Sequence, residues 1–361
     1  MTDQNRPKYP IHFVGSIPLE NAEAVFRALA ASVGERALRW PDGETGERAY
    51  WIRWQKQTFD DHPDFELKSA SKSLHGYKDA LERPFYVIRD GIDAADVRIE
   101  TMGYAAEAVA SYATFAKLKA DGIIPASVRF QVSIPSAIAL TAGFFEMPER
   151  AAAEPIIEAA LAQEVQTIAA GIPHDQLAIQ WDVCHEVVAA DGGMPLHYED
   201  VLTASTARIA RLLGFVPMDI EAGIHLCYGD PGHKHIIEPA DLSTCVAYAN
   251  GITQASAPPV NFIHMPVPRD RSDAAYFAPL GALSLPAETD LYLGLVHFTD
   301  GAGVVAGPCR FIRHRHRMRL RPPRSGEHSA AARHSCDGRR LTILIARRLH
   351  LVSRGCTRRR P

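Results

Sequence analysis

Residues 177–186 read LAIQWDVCHE, and this stretch decides the fold. The run Leu177–Val183 is short and nearly continuously apolar, which is typical of a parallel strand that is buried on both faces. Two acidic residues, Asp182 and Glu186, stand at its end. Acids at the carboxyl end of a buried strand indicate an α/β protein whose chemistry lies where the strands end.

Similar apolar runs recur along the chain and alternate with helix-length segments. The other candidate strands are Ile11–Ser16, Ala37–Pro41, Val128–Ile134, Ile220–Tyr228, Val260–Met265 and Leu291–Phe298. Strands that alternate with helices predict a parallel sheet. Seven strands with chemistry at their ends predict a TIM-type (β/α)8 barrel over residues 1–303, with its eighth strand missing or replaced.

Amphipathic stripes predict the helices between these strands. One stripe, on Ala151–Ala170, consists of Ile156, Ala160, Leu161, Val165 and Ile168. A second, on Tyr198–Leu213, consists of Leu202, Ser205, Ile209 and Leu212. Pro239 and Asp241 predict the start of a further helix toward Tyr248. The less regular segment Trp51–Thr101 predicts an insertion between the second and third strands.

Bulk composition is that of a cytoplasmic enzyme. The chain has 361 residues with 47% hydrophobic content, enough for one large core. The polar start MTDQNRPKYP predicts no signal peptide, and no run approaches the roughly 20 apolar residues of a membrane span. The six scattered cysteines favour a metal or buried thiols over a disulfide framework.

Residues 304–361 differ from the rest of the chain. They hold 16 Arg, no Lys and 2 acidic residues, a net charge of +14, whereas the preceding 303 residues hold 23 basic and 40 acidic residues, a net charge of −17. A nucleic-acid or membrane arm would have this charge. We favour a reading-frame shift in a GC-rich gene, because Lys and Arg serve a phosphate backbone equally well and Lys is absent.

This arginine-rich tail is predicted to be poorly ordered and sensitive to proteases. Its apolar segment 341–345 (LTILI) is a possible surrogate strand. However, it follows Asp300 by about forty residues, while barrel loops usually run roughly 2–6 residues. We therefore expect neither a membrane partner nor a nucleic-acid partner.

The sharpest chemical motif is GIHLCYGD, residues 223–230. His225 and Cys227 are two apart on a predicted strand, so both side chains point to one face. Imidazole and thiolate together suit zinc. A buried cysteine beside a hydrogen-bonded histidine is the alternative, and the spacing alone leaves both open.

Two further groups of polar residues follow predicted strands. Glu44 lies in PDGETGER, and Asp182 ends the fourth strand; both could hold a substrate ammonium or act in acid–base chemistry. His264 and His297 end later strands. Arg269 and Arg271 could hold a carboxylate, or they could form surface pairs with Asp270 and Asp273.

Six motifs, in this order, resemble the cobalamin-independent methionine synthase family, within the superfamily that also contains uroporphyrinogen decarboxylase. They are IHFVGSIP, PDGETGERAYWI, IQWDVCHE, GIHLCYGD, NFIHMPVPRDR and LYLGLVHFTDG, spread over about residues 10–300. The resemblance implies a zinc-dependent methyl or alkyl transferase with two small-molecule partners, a thiol substrate and a methyl donor such as a folate. Zinc lowers the thiol pKa in such sites.

The resemblance also implies roles for individual residues. Ser16, Glu44 and Asp182 would bind the amino-acid part of the substrate, His225 and Cys227 would ligate zinc, and His297 would protonate the leaving group. Two positions depart from the family pattern. His264 stands where the family has a glutamate ligand, and the segment that should carry a last cysteine ligand is replaced after about Gly303.

These departures leave two other hypotheses open. One is a metal-free, decarboxylase-like enzyme that uses Arg269, Arg271 and Asp182 on an acidic substrate. The other is an inactive, truncated product. The zinc content of the purified protein distinguishes the first alternative from the zinc-dependent transferase.

Overall fold

A computed structural model describes residues 10–72, 82–231, 234–297 and 341–343. Its strands are β1 (Arg39–Pro41), β2 (Phe65–Lys72), β3 (Glu82–Ile88), β4 (Arg129–Pro135), β5 (Leu177–Val183), β6 (Glu221–Leu226), β7 (Phe262–Pro266), β8 (Asp290–Gly294) and β9 (Leu341–Ile343). Its helices are α1 (Ala22–Ser32), α2 (Lys56–Asp60), α3 (Tyr104–Ala120), α4 (Ala137–Phe144), α5 (Arg150–Gly171), α6 (His185–Ala190), α7 (Val201–Gly214), α8 (Ser243–Ala255) and α9 (Ala274–Phe277).

The main sheet is parallel, with strand order β1-β4-β5-β6-β7-β8-β9. The predicted strands from the second onward are confirmed, with shifted ends. The prediction of a first strand over Ile11–Ser16 is wrong, because this segment makes a single isolated bridge, Ile11 to Ala37. Gly15 has a φ of +138°, outside the extended range, so the strand geometry cannot continue there.

The sheet is strongly curled, as contacts between its first strand and β8 show. Four strands separate β1 from β8 in the sheet. Nevertheless, Arg39 Nη1 in β1 donates to the Tyr292 hydroxyl in β8 at 3.1 Å, and its Nη2 lies 3.6 Å from Asp290 Oδ2. Arg39 Nε also donates to Glu221 Oε2 in β6 at 2.6 Å. The inner face of the sheet therefore encloses a polar, buried interior.

The segment between β1 and β4 is an insertion, as predicted. A 3-10 segment, Gly46–Gln55, leads into α2, and β2 and β3 then form a separate antiparallel pair. This hairpin packs on the sheet's carboxyl side through aromatic contacts. Phe59, Phe65 and Tyr86 meet Phe144 and Phe145, with ring centroids 4.9–6.3 Å apart.

The helices cover the outside of the sheet with the stripes that the sequence predicted. The stripe on α5 is buried at all of its predicted positions. On α7, Ser205, Ile209 and Leu212 are buried, but Leu202 is 37% exposed, so its predicted burial is wrong. Leu202 lies in the first turn of α7. Among the described residues, no helix is long and apolar enough to cross a membrane.

Most of the arginine-rich tail, and with it the predicted disorder and domain boundary at residue 303, lies outside the described residues. Leu341–Ile343 is the exception, and it pairs in parallel with Leu291–Leu293 of β8. The apolar segment that the sequence offered as a surrogate strand thus contributes β9. Within the described chain, β9 and β1 are not hydrogen-bonded to each other, so the sheet is curled but not closed.

Candidate functional site

Three predicted site residues stand side by side where the central strands end. Asp182 in β5 is in register with His225 in β6, which is in register with His264 in β7. All three are buried, with exposed fractions of 6%, 3% and 3%. Because neighbouring parallel strands run in the same direction, this register brings residues from three separate motifs to one edge of the sheet.

The two imidazoles approach each other closely. His225 Nδ1 lies 2.5 Å from His264 Nδ1, and the ring centroids are 4.6 Å apart. Gly294 in β8 gives His264 this room, since a Cβ at that position would lie 3.1 Å from His264 Nε2. At this distance the two nitrogens can share one proton in a hydrogen bond, and they would have to separate to about 3.4 Å to ligate one zinc ion together.

A cavity of about 380 Å³ opens at these strand ends. Of the predicted site residues, its lining includes His225, Cys227, His264, Arg269 and His297. Charged side chains that the sequence analysis did not single out complete the rim: Asp230, Lys234, His235 and Glu238. The cavity thus combines a thiol, several imidazoles and charges of both signs, which suits a small polar substrate.

Cys227 follows β6 directly and turns its thiol into this cavity. Its Sγ accepts the backbone N–H of Gly229 at 3.1 Å. Gly229 has a φ of +69°, and an added Cβ would lie 2.7 Å from Ile236 Cδ1. The tight turn after β6 therefore requires glycine in order to aim a hydrogen-bond donor at the sulfur.

Ser16 and Glu44 form a second polar pair, outside the cavity lining, with Glu44 in the loop after β1. The Ser16 hydroxyl donates to Glu44 Oε2. The Glu44 backbone is in the left-handed region, with a φ of +50°, and its N–H donates to Asp42 Oδ1 at 3.0 Å. Asp42 is held in turn by Arg48 Nη2 at 2.7 Å. The acids of the PDGETGER loop are thus held in place by their own loop.

The two arginines of the NFIHMPVPRDR motif lie in different surroundings. Arg269 lines the cavity. Arg271 is ion-paired with Asp273, its Nε lying 2.9 Å from Asp273 Oδ2, and its guanidinium stacks 4.6 Å from the Tyr276 ring centroid. Of the two, Arg269 is therefore the one placed to meet a ligand in the cavity.

His12 and Gln180 orient Asp182, although neither stands out in the sequence as a site residue. His12 Nε2 lies 2.7 Å from Gln180 Oε1, and Gln180 Nε2 donates to Asp182 Oδ1 at 2.8 Å. Burial, and next the charge of Arg39, lower the pKa of His12 to about 3, so its ring is neutral and Nε2–H donates to the glutamine. In both cases the sequence signal available was a polar residue inside an otherwise apolar motif that predicts a strand.

The donor chemistry of the cavity suits zinc, but the number of ligands falls short. His225 and His264 converge, and Cys227 lines the same cavity. Within the described ranges, however, no group of three or more His, Cys, Asp or Glu side chains is arranged to hold a metal ion. A zinc site here would require Cys227 to turn from the Gly229 N–H toward the histidine pair.

Comparisons with known proteins include a distant structural likeness. No family model matches the chain. No curated protein matches it. Among solved structures, it is similar to the "Putative Vitamin-B12 Independent Methionine Synthase" from Listeria monocytogenes, at 14% identity and a TM-score of 0.46, over 90% of this chain and 79% of that one. Likeness at this level says nothing about activity, which rests on the residues themselves.

Proposed function

We propose that the cavity is the active site of a methyl or alkyl transferase that acts on a small thiol, in a methionine-synthase-like β/α barrel. One observation carries this proposal. The imidazoles of His225 and His264 meet at 2.5 Å at the strand ends, in a cavity that Cys227 and His297 also line. The six sequence motifs that resemble the methionine synthase family include all four of these residues.

Zinc is the cofactor that we propose for this site, with His225, His264 and Cys227 as ligands. Two imidazoles and a thiolate are a donor set that zinc prefers. When bound, the metal would lower the pKa of a substrate thiol and so supply the nucleophile. In the present arrangement the Gly229 N–H donates to Cys227 Sγ, and zinc binding would break this hydrogen bond.

The polar residues around the cavity would bind and orient the substrate. We propose that Asp182, with Glu44 and Ser16, holds an ammonium group, because Glu44 follows β1 and Asp182 lies near the end of β5, with β4 between the two strands. Arg269 in the lining would hold a carboxylate. His297 would deliver a proton to the leaving group of the methyl donor, for which a folate is one candidate. Ammonium and carboxylate together describe an amino-acid thiol.

Metal analysis of the purified chain tests the zinc proposal. We expect about one zinc per wild-type chain and a marked loss in Cys227→Ser, because a serine hydroxyl is a poor zinc ligand. Cys245→Ser is the matched control, since Cys245 is also a buried thiol but lies in α8 outside the cavity lining. Equal zinc in wild type and Cys227→Ser, or none in either under reducing conditions, would refute the assignment.

A metal-free, decarboxylase-like reaction on an acidic substrate is the second candidate. The incomplete ligand group in the described chain favours it, as does Arg269 in the cavity lining. The pairing of Arg271 with Asp273 removes one of the two cations that this alternative relied on. Stoichiometric zinc that depends on Cys227 would reject this second candidate.

A further inference from the structure

Three arginines from separate elements gather beside the hairpin insertion. Arg83 lies in β3, Arg150 begins α5, and Arg53 belongs to the 3-10 segment after β1. The Nη2 atoms of Arg83 and Arg150 donate to the same backbone carbonyl, that of Ala142, at 2.7 and 3.4 Å. Two guanidinium groups that share one acceptor bring two positive charges together.

No described carboxylate neutralises this pair. Neither Arg83 nor Arg150 lies within 4.0 Å of an acidic side chain of the described residues. Arg150 is only 7% exposed, and its other donors reach the carbonyls of Phe145 and Pro195. Burial lowers the pKa of both guanidinium groups, and the charge of Arg83 lowers that of Arg150 further. Buried cations without a counter-charge are costly.

Donors remain available in this cluster. Arg83 Nε is buried and has no hydrogen-bond partner in the described chain, and the same holds for Nδ1 of the nearby His185. The His185 ring feels the charge of all three arginines. It stacks on the Trp51 ring, with the ring centroids 5.7 Å apart and an interplanar angle of 12°. Trp51 itself has a strained backbone, with φ +57° and ψ −116°, a state that is concentrated at functional sites.

The arginine cluster adjoins the cavity of the proposed active site. His185 begins α6 directly after β5 and interacts electrostatically with Cys227 of the cavity lining. The preceding residue, Cys184, packs near the turn after β6, since a Cβ on Gly229 would lie 3.6 Å from its sulfur. Cys184 and His185, at the end of β5, thus connect the turn after β6 to the arginine cluster, although none of the three arginines lines the cavity itself.

We propose that Arg53, Arg83 and Arg150 form a binding site for an anionic group, a carboxylate or a phosphate, next to the cavity. Guanidinium forks match the geometry of both groups, and an anion would supply Arg83 and Arg150 with a counter-charge that the described residues do not provide. Arg150 is fixed by backbone carbonyls and sets the position of the site, while Arg83 has a donor left to bind the ligand. The site does not depend on zinc or on methyl transfer.

Calorimetric titration of the full chain with inorganic phosphate and, separately, with citrate tests this site. Ionic strength is held constant with KCl so that general screening does not register as binding. We expect the wild type to bind at least one probe, and the stronger probe identifies the class of anion. Arg83→Gln and Arg53→Gln should each weaken binding about tenfold or more, as expected for a lost charge-assisted hydrogen bond.

Arg89→Gln is the matched control, because Arg89 follows the same hairpin but is exposed and paired with Glu66 at 3.2 Å. It should bind the probes as the wild type does. If Arg83→Gln fails to fold, Arg83→Lys replaces it. This variant keeps the positive charge but loses the paired N–H donors of the guanidinium group, and it should bind the probe several-fold more weakly than the wild type. The proposal is overturned if neither probe binds the wild type, or if the folded Arg83 and Arg53 variants bind with wild-type affinity.

Discussion

At the scale of single residues, the buried carboxyl group of Glu186 makes the stability of the fold depend on pH. It lies at the start of α6 with no exposed surface. Burial raises its pKa from 4.5 to about 7, and neither carboxyl oxygen has a hydrogen-bond partner among the described residues. A raised pKa in the folded state means that folding favours the neutral acid. The stability it contributes is present below pH 4.5 and is lost as the pH rises through about 7.

Glu186→Gln should remove this pH dependence, because the amide stays neutral. We expect the free energy of unfolding in urea, wild type minus variant, to fall by about 2–3 kcal/mol between pH 5 and pH 8. His12 and His185 have pKa values lowered to about 3 by burial, so both proteins lose stability in parallel as the pH falls below 6.5. Exposed Glu199→Gln is the control, and identical pH profiles for Glu186→Gln and wild type would contradict the assignment.

Gly15 is a second single residue on which the site depends, because it lies against the Glu44 side chain. Its φ of +138° is a conformation that only glycine adopts readily, and a Cβ there would lie 2.5 Å from Glu44 Oε1. Gly15→Ala should therefore lower the free energy of unfolding by about 1–3 kcal/mol and displace Glu44. Gly34→Ala is the control, since Gly34 also has a positive φ, +51°, but no atom within 4 Å of an added Cβ. If urea unfolding shows that Gly15→Ala and Gly34→Ala lower the free energy of unfolding equally, the contact with Glu44 does not matter.

At the scale of elements, Arg39 joins strands that are distant in the sheet. It is 2% exposed and connects β1 to Glu221 in β6 and to Asp290 and Tyr292 in β8. Phe262 of β7 packs 4.2 Å from its guanidinium carbon. One buried cation thus ties together the inner faces of four strands, on the side of the sheet opposite the carboxyl ends.

Arg39→Met should destabilise the fold strongly. Asp290, which is 5% exposed, would lose this cation, whereas Glu221 would keep its ion pair with Arg129. Breaking a buried pair costs about 3–5 kcal/mol. Arg27→Met is the control, because the Arg27–Glu23 pair is one turn apart on α1 and half exposed, and such pairs contribute about 0.3–0.5 kcal/mol. Chemical unfolding of both variants measures the difference, and a small loss in each would mean that the network contributes little.

At the scale of the whole molecule, the arginine-rich tail remains a prediction from composition. We expect limited proteolysis to begin between about Val304 and Arg340 while the larger body persists. Subtilisin is the suitable protease, because trypsin would favour the tail merely for its 16 arginines. A tail as resistant as the body, together with a single cooperative thermal transition, would show that the tail belongs to the fold.

The sequence by itself determined the elements and the residue types of the site. Apolar runs and amphipathic stripes are local patterns, so they predicted β4 to β8, α5 and α7, and they placed His225, Cys227 and His264 near strand ends. Local patterns failed where the backbone departs from a regular period. Gly15, with a φ of +138°, interrupts the expected first strand, and Leu202 is 37% exposed in the first turn of α7.

Only the tertiary structure decided which polar groups meet. His12 contacts Gln180 across 168 residues of sequence, and Arg39 contacts Tyr292 across 253. Arg83 and Arg150 share a carbonyl although one lies in a hairpin and the other in a helix. No periodicity relates such positions, because each contact depends on how far the sheet curls and where the hairpin packs. Long-range packing therefore set the charges and the pKa shifts around the cavity, and the sequence supplied the side chains that packing brought together.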